Sequence, residues 1–594
     1  MGRTRTALAT LAVATTIGGV AASAASTSPT IGSSGAVVPQ GMQSDRTYTS
    51  SGTSVSNTFA TTEQTSCYTP EVPFAVDLGP ALGYSGESAC NGAATTGEDL
   101  GPYPTQAGSN PGYPASTPML VKDHSESDIR VDPTNPQHII GTSKWFVSPE
   151  GYNHLLGFYE SFDGGRTWSV QGHVPGYEGW TDNTDPVGAF DTYGNFYFFD
   201  LGYQFFNNKD GSENFTVGAS QEPNPTLAAE MVAVAVRPHG ATKATDWRAN
   251  DIVAAYDNGK GNEPDKQWIT IDRGASSPFK NRIYTMWVNF HTLTPVPYVS
   301  YSDALPNGTH TAWSTPQKLP QPKSTPQGAT YLLPHVTPDG AVYSTVTNFD
   351  PSHQFNSPVV TYVVKSSDGG ATWSILPTTI TIQHAPPLEY ANTSFRDGIT
   401  DTFAVGPKLD AQGHYPLYDA YEDYSAGVDN ILLTASYDDG NSWTTPIQVN
   451  DNASLADELQ PNLSVSPTGT ISVAWYDRRL ACPAKGTEAT AAGIALDPAA
   501  AGASNYCINS SVQFYDPTLH PAGHNVRLTQ HTWDPQLNSP HPGSPFGFET
   551  FIGDYFGNDA SVGGTDWFTF VSTYNDGSNP ANRQQQVVAS IPTP

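Results

Sequence analysis

Two short runs concentrate residue types that act on sugars: Tyr421-Glu422-Asp423-Tyr424 and Trp475-Tyr476-Asp477-Arg478-Arg479. Around them lie dispersed carboxylates and arginines: Glu126, Arg130, Asp182, Asp185, Asp265, Arg396 with Asp397 and Asp401, Glu458, and Glu549 with Asp554. Trp145 adds an aromatic face. Aromatic rings stack on sugar rings, carboxylates bind hydroxyls or move protons, and guanidinium forks hold acidic sugars bidentately. A structural alternative exists for Arg478 and Arg479. They would be a salt-bridged strand exit bracing the segment up to Cys482, with Asp477 paired to an Arg of the next repeat. Carboxylates gathered in one channel can also hold Ca²⁺, which takes six to eight oxygens in loose geometry. No compact Asp-x-Asp-x-Asp-Gly loop is present, so a calcium site would be assembled from distant loops, and no cofactor is required by the sugar chemistry. Other chemistries lack their motifs: there is no Gly-x-Ser-x-Gly elbow, no phosphate-binding Gly-Lys-Ser/Thr loop and no His-Glu-x-x-His helix. His335 is expected to line a channel rather than act as a base.

These residues need a frame, and a repeat supplies it. Ser161–Trp168 reads S-F-D-G-G-R-T-W and returns as S-S-D-G-G-A-T-W at Ser366–Trp373 and S-Y-D-D-G-N-S-W at Ser436–Trp443. Each copy follows a β-type run, Leu155–Tyr159, Val359–Val364 or Ile431–Ala435. The pattern suits a hairpin tip. Asp163, Asp368 and Asp438 can accept backbone N–H bonds, a Gly can take positive φ, and the Thr or Ser hydroxyl can tie the far side. The Trp then begins the outgoing strand with an indole large enough to fill a seam between sheets. Three copies mean a repeated supersecondary unit.

The octapeptides resemble the Asp-box of sialidases and the wider sialidase-like, BNR-repeat β-propellers, and the resemblance covers residues 123–594. It implies an all-β propeller of four-stranded antiparallel blades. It also implies an arginine triad on a substrate carboxylate, for which Arg130, Arg396 and Arg478 are the candidates, with Arg479 and Trp145 beside them. Tyr421 or Tyr476 would be the nucleophile, Glu422 its assistant, and Asp182 or Asp185 the acid, with Asp477 next to Tyr476. The Phe/Tyr-Arg-Ile-Pro start of sialidases is missing, and its nearest counterpart is Asp128-Ile129-Arg130-Val131.

From Glu126 onward seven repeat openings can be counted, six if one is an insertion; sialidases have six. The seventh lacks an outer strand, which a segment before Glu126 would supply, with Met119–Val121 as the candidate; such closure hides sheet edges. The octapeptides then mark one end of the propeller. Ligand chemistry is expected at the other, where inner strands enter and second strands leave, near Asp200, Asn289, Asp350 and Asn575-Asp576.

The remaining sequence places the protein outside the cell. Arg3 and Arg5 precede an apolar run from Ala7 to Ala22 and then Ala22-Ser23-Ala24, so residues 1–24 read as a signal peptide. Residues 25–122 are rich in Ser, Thr, Gly and Pro and read as an irregular lead-in. A net charge of −30 argues against nucleic acid and anionic membranes as partners. No later stretch reads as a membrane span. Four cysteines allow three pairings, and proximity favours Cys67–Cys90 and Cys482–Cys507. The expectation is a secreted monomer acting on extracellular glycan: a sialidase-like exo-glycosidase or, alternatively, a non-catalytic propeller that binds glycan or protein on its loop face.

Overall fold

The computed structural model describes residues 56–59, 123–146, 154–174, 182–203, 230–256, 263–291, 294–323, 328–348, 358–390, 393, 395–398, 401–452, 455–483, 500–537, 550–574 and 584–594. The signal peptide, the Cys67–Cys90 pair, Met119–Val121, Asp350, Glu549 and Asn575-Asp576 lie outside these residues. Among them there are strands and no helices, arranged as seven antiparallel sheets that form a seven-bladed β-propeller. No helix long and apolar enough to cross a membrane is found there.

Inner strands run Asp123–Val131, Asp182–Phe190, Glu263–Ile271, Ala329–Val336, Asp401–Val405, Glu458–Val465 and Gly557–Asp559. Each pairs with the next strand in sequence, and each packs beside the inner strand of the following blade until the seventh meets the first. The ring is closed by Ser56–Phe59, which pairs with Gln585–Pro592 as the outer strand of blade 7, Ser56 facing Ser590 and Phe59 facing Val587. A segment before Glu126 therefore does close the ring, but it is not Met119–Val121. An outer strand buries little, so Ser-Asn-Thr-Phe carries almost no apolar pattern to mark it.

The core is a set of seams between blades. Trp168 of the first octapeptide packs edge-on against Tyr159 and joins Trp567 and Val588 between blades 1 and 7. Each such buried side chain contributes about 1.5–3 kcal/mol. The octapeptides form hairpin turns with one shared scheme. Asp163 accepts the backbone N–H of Thr167 at 2.9 Å and its hydroxyl at 2.8 Å, while Ser161 Oγ accepts the N–H of Gly165 at 2.9 Å. Asp368 with Thr372 and Asp438 with Ser442 repeat it. Gly165 has φ +74°, and a Cβ there would stand 2.4 Å from the Trp567 ring, so glycine is required twice over. Cys482 and Cys507 form a disulfide.

Five inner strands carry a bulge at the same level, two residues opposing one on the second strand: Glu126-Ser127, Asp185-Pro186, Lys266-Gln267, Thr330-Tyr331 and Gln460-Pro461. Four of the bulged residues, Glu126, Asp185, Lys266 and Gln460, have φ between 48° and 55°, the left-handed region that side chains avoid. Gly553 in blade 7 comes so close that a Cβ would lie 2.7 Å from the Glu126 amide nitrogen. The bulges turn polar side chains onto the propeller axis.

Candidate axial site

The axis at the inner-strand entrances is filled by two linked charge groups. In the first, Lys144 reaches Glu126 Oε2 at 3.1 Å and Asp185 Oδ1 at 3.8 Å. Glu126 and Asp185 share a hydrogen bond, and Thr184 donates to Asp185 at 2.5 Å. Burial, with the neighbouring Asp185, pushes the Glu126 carboxyl well above its usual range. Burial also works to raise Asp185, but Lys144, the hydrogen bond from Glu126 and Lys266 outweigh it and hold Asp185 below the usual value. The two proton affinities are therefore driven in opposite directions, Glu126 up and Asp185 down. Glu126 Oε1 is buried without a hydrogen-bond partner.

In the second group, Asp554 accepts from Lys266 at 2.9 Å and from Arg396 at 2.5 and 3.2 Å. Burial opposes ionisation of Asp554, yet Arg396 and Lys266 hold it far below the ordinary carboxylate range. Asp265 lies beside Lys266; burial raises it to about 7 despite that neighbour. Aromatic faces complete the wall: Lys266 stands 4.8 Å from the Tyr331 ring and Arg396 4.7 Å from that of Phe551.

A third group adjoins Arg396. Asp397, Glu422 and Asp429 place carboxylate oxygens within 4.8 Å of one another, all three buried. The Tyr390 hydroxyl lies 2.6 Å from Asp397 and 2.5 Å from Asp429, and the Gln460 side chain donates to Asp397 at 3.2 Å. The Gln460 backbone N–H donates to Glu422.

The three arginines proposed as a triad keep separate company. Arg130 pairs with Asp128 at 2.9 Å and donates to the Gly188 carbonyl, further along the axis. Arg396 is held by Asp554. Arg478 pairs with Asp457 at 3.2 Å and stacks over Tyr390 and Phe395. Arg479 joins Asp477 at 2.7 Å and Asp451 at 2.6 Å. Asp477 also accepts from Ser511, so it is matched within its own blade rather than by an arginine of the next. Tyr421 packs with Val359, Ile380 and Ile382 in the seam between blades 4 and 5. Tyr476 packs against Trp533 and Phe556 between blades 6 and 7, its hydroxyl accepting the Val571 N–H. Trp145 is buried and donates to Ser143 at 2.9 Å. Of the candidates, then, the fold gathers Asp185, Glu126, Asp265, Arg396 and Asp554 around the axis, with Glu422 and Asp397 adjoining.

A cavity of about 560 Å³ occupies the other half of the axis, lined by Arg130, Trp268, Arg273, His335, Thr402 and Asn462 and rimmed by the turns that follow the inner strands. It therefore lies toward the octapeptide end, the one expected to be inert. Small side chains there, such as Ala189, Thr270, Ala404 and Ser464, leave the axis open, whereas Lys and Arg fill it at the entrances. A void of about 40 Å³ beside Asp185, Lys266, Tyr331 and Asp554 shares Trp268, Thr402 and Asn462 with it. His335 lines the cavity, and burial with Arg130 and Arg273 nearby pushes it down to about 3. Lys144, Lys266, Gln460 and Tyr390 were not among the expected site residues. Asp-Pro and Gln-Pro inside inner strands were the available signal, since proline within a sheet marks a bulge.

No family model and no curated protein matches the chain. Several solved structures are distantly similar to it. A Dyadobacter fermentans protein of unknown function shares 10% identity over 80% of this chain and 95% of its own, with a TM-score of 0.39. An intramolecular trans-sialidase from Ruminococcus gnavus shares 11% over 60% and 90%, TM-score 0.36. An α-L-arabinofuranosidase of Fusarium graminearum shares 10% over 52% and 89%, TM-score 0.30. Similarity of this degree carries no argument about activity, which must come from the site.

Proposed function

We propose that this is a secreted propeller that hydrolyses glycosidic bonds, with Glu126 and Asp185 as its acid–base pair. The observation that carries the reading is that the two carboxyls are buried side by side with their proton affinities driven apart, Glu126 upward and Asp185 downward. In this scheme Glu126 gives its proton to the leaving oxygen, and Asp185, kept anionic by Lys144, takes one from water. The axial cavity and the small void beside Asp185 share Trp268, Thr402 and Asn462 in their linings. Aromatic, amide and hydroxyl groups around the axial cavity, Trp268, Asn462 and Thr402 among them, suit a saccharide. Hydrogen-bonded carboxyls stand closer than the roughly 5 Å of a retaining glycosidase or the roughly 6.5–9.5 Å of an inverting one, so the pair matches neither spacing and would act as one proton-sharing unit.

One observation favours a second reading, glycan binding without cleavage. Among the described residues of the axial cluster, Lys144, Lys266 and Arg396 are already matched by carboxylates. The test is release of sugar from a panel of fluorogenic glycosides, sialosides included, by wild type, Glu126→Gln and Asp185→Asn. Loss of roughly 10²–10⁴-fold in kcat by each folded variant supports the hydrolase. Activity should fall on the acid side as Asp185 takes up a proton and on the alkaline side as Glu126, facing Asp185, Lys144, Asp554 and Tyr555, loses one. Undiminished activity in both variants refutes the pair, and a silent panel with glycan-array binding supports the second reading.

A further inference from the structure

Asp397, Glu422 and Asp429 come from three segments of blade 5 and meet the Gln460 bulge of blade 6. Their oxygens lie within 4.8 Å of one another, and two oxygens bound to one calcium at 2.3–2.6 Å are at most about 5 Å apart. The local hydrogen bonding does not balance unless a carboxyl takes up a proton or a cation supplies the charge. Tyr390 has one phenolic proton, yet its oxygen lies within 2.6 Å of Asp397 and 2.5 Å of Asp429. Two buried oxygens at the cluster have no hydrogen-bond partner. One is Asp429 Oδ1; the other is Gln460 Oε1, on the same amide whose nitrogen donates to Asp397. Gln460 is not a member of the acidic cluster, and a buried carbonyl oxygen left without a donor is costly unless a water or a cation takes it. Arg478, which lies over the Tyr390 ring, is engaged with Asp457.

We propose that Asp397, Glu422, Asp429 and the Gln460 amide oxygen form a calcium site joining blades 5 and 6. Oxygen-only ligands from separate loops favour Ca²⁺ over Mg²⁺, which demands a tighter octahedron and keeps its waters. The ion would pin the segment that carries Arg396 and so fix the Arg396–Asp554 pair next to it.

The experiment uses the whole protein stripped with EDTA and reads binding and stability, independently of any activity on glycans. Calcium at about 5 mM is expected to raise Tm by at least roughly 3 °C, with magnesium giving much less. Terbium alone should show luminescence on excitation of the protein's aromatic side chains and be displaced by calcium. Asp429→Asn should abolish both effects at this site. Stripped, folded wild type that shows neither a calcium shift nor terbium luminescence overturns the proposal. So does an Asp429→Asn variant that binds terbium as wild type does. Should Asp429→Asn fail to fold, equilibrium dialysis of wild type decides, since less than one calcium per chain overturns the site. Glu422→Gln then locates it: a tenfold or greater weakening supports the assignment, and unchanged affinity overturns it.

Discussion

Replacing Asp554 by asparagine removes one charge from a group of three without changing its shape. Asp554 is the carboxylate that both Lys266 and Arg396 contact, at 2.9 and 2.5 Å, and all three side chains are almost fully buried. Breaking a buried pair by removing one partner costs about 3–5 kcal/mol. Part of this is recoverable. Asp265 lies against Lys266 and has its proton affinity raised to about 7, so near neutrality it can ionise in response. A charge-assisted hydrogen bond regained there offsets about 1 kcal/mol or slightly more, leaving a net loss of about 2–4 kcal/mol. In a chain of this size that is a fall in Tm of roughly 2–4 °C. The rescue has a signature in pH. At pH 5 Asp265 is protonated and cannot substitute, so Asp554→Asn should be more harmful at pH 5 than at pH 8. Below about pH 4 the penalty should shrink, because a carboxylate whose folded proton affinity is depressed stabilises above its unfolded pKa and loses that contribution as pH falls. Denaturant unfolding at pH 3, 5 and 8 measures this, with unfolding rates compared if refolding fails. A penalty under about 1 kcal/mol at pH 5, or a larger one at pH 8, would refute the view that these charges form one desolvated group.

Gly165→Ala meets both positive φ and the Trp567 ring, and should cost about 2–4 kcal/mol in chemical denaturation. Gly413→Ala meets the φ alone, with open space around it, and should cost about 1 kcal/mol; equal penalties would show that the indole gives way. Burial raises Asp128 to about 6 and Asp265 to about 7, and raises Asp419 and Glu458 well above the usual range. These groups bind protons more tightly folded than unfolded, so stability present below about pH 4 should be lost as pH rises through 6–7. Asp419→Asn should fold and cost little, because both Asp419 oxygens lack a donor and burial favours a neutral group there. A Tm that rises steadily from pH 5 to 8 would contradict the expected decline.

Much of the fold was legible because repetition is a property of sequence. The three octapeptides marked blades 1, 4 and 5, and the Tyr-, Trp- and Phe-rich second strands marked the others. The closing strand escaped because Ser56–Phe59 contributes backbone hydrogen bonds at an edge, and edge strands need no apolar face. The site was legible in position and obscure in role. Glu126, Asp185, Asp265, Arg396 and Asp554 could be placed at the entrances, since strand order dictates which end of each blade they occupy. Pairing could not be read. Whether Arg478 faces a ligand or Asp457 depends on a loop 21 residues upstream turning back, which only packing decides. Tyr421 and Tyr476 illustrate the same limit. Both stand next to acidic residues in sequence, but side chains alternate along a strand, so each tyrosine enters a seam while its neighbour takes the opposite face.

The axial layer is where the chain departs furthest from local preference. Glu126, Asp185, Lys266 and Gln460 all occupy left-handed backbone within strands, a conformation that costs of order 1–3 kcal/mol per residue. Desolvation of Lys144, Lys266 and Arg396 adds to that cost. A propeller needs neither, because apolar side chains at the same bulges would seal the axis more cheaply. The same four positions on four blades carry four different polar side chains, so blade geometry sets where the bulge falls and something other than geometry sets what it bears. Strain and buried charge in one layer, beside the cavity of ligand size, are the combination expected where a structure has been held away from its stability optimum by a task. That convergence, rather than any single residue, is the reason to look for the chemistry on the axis and not in the arginine-rich exit of blade 6, where every charge is matched within a few residues or by an adjacent loop.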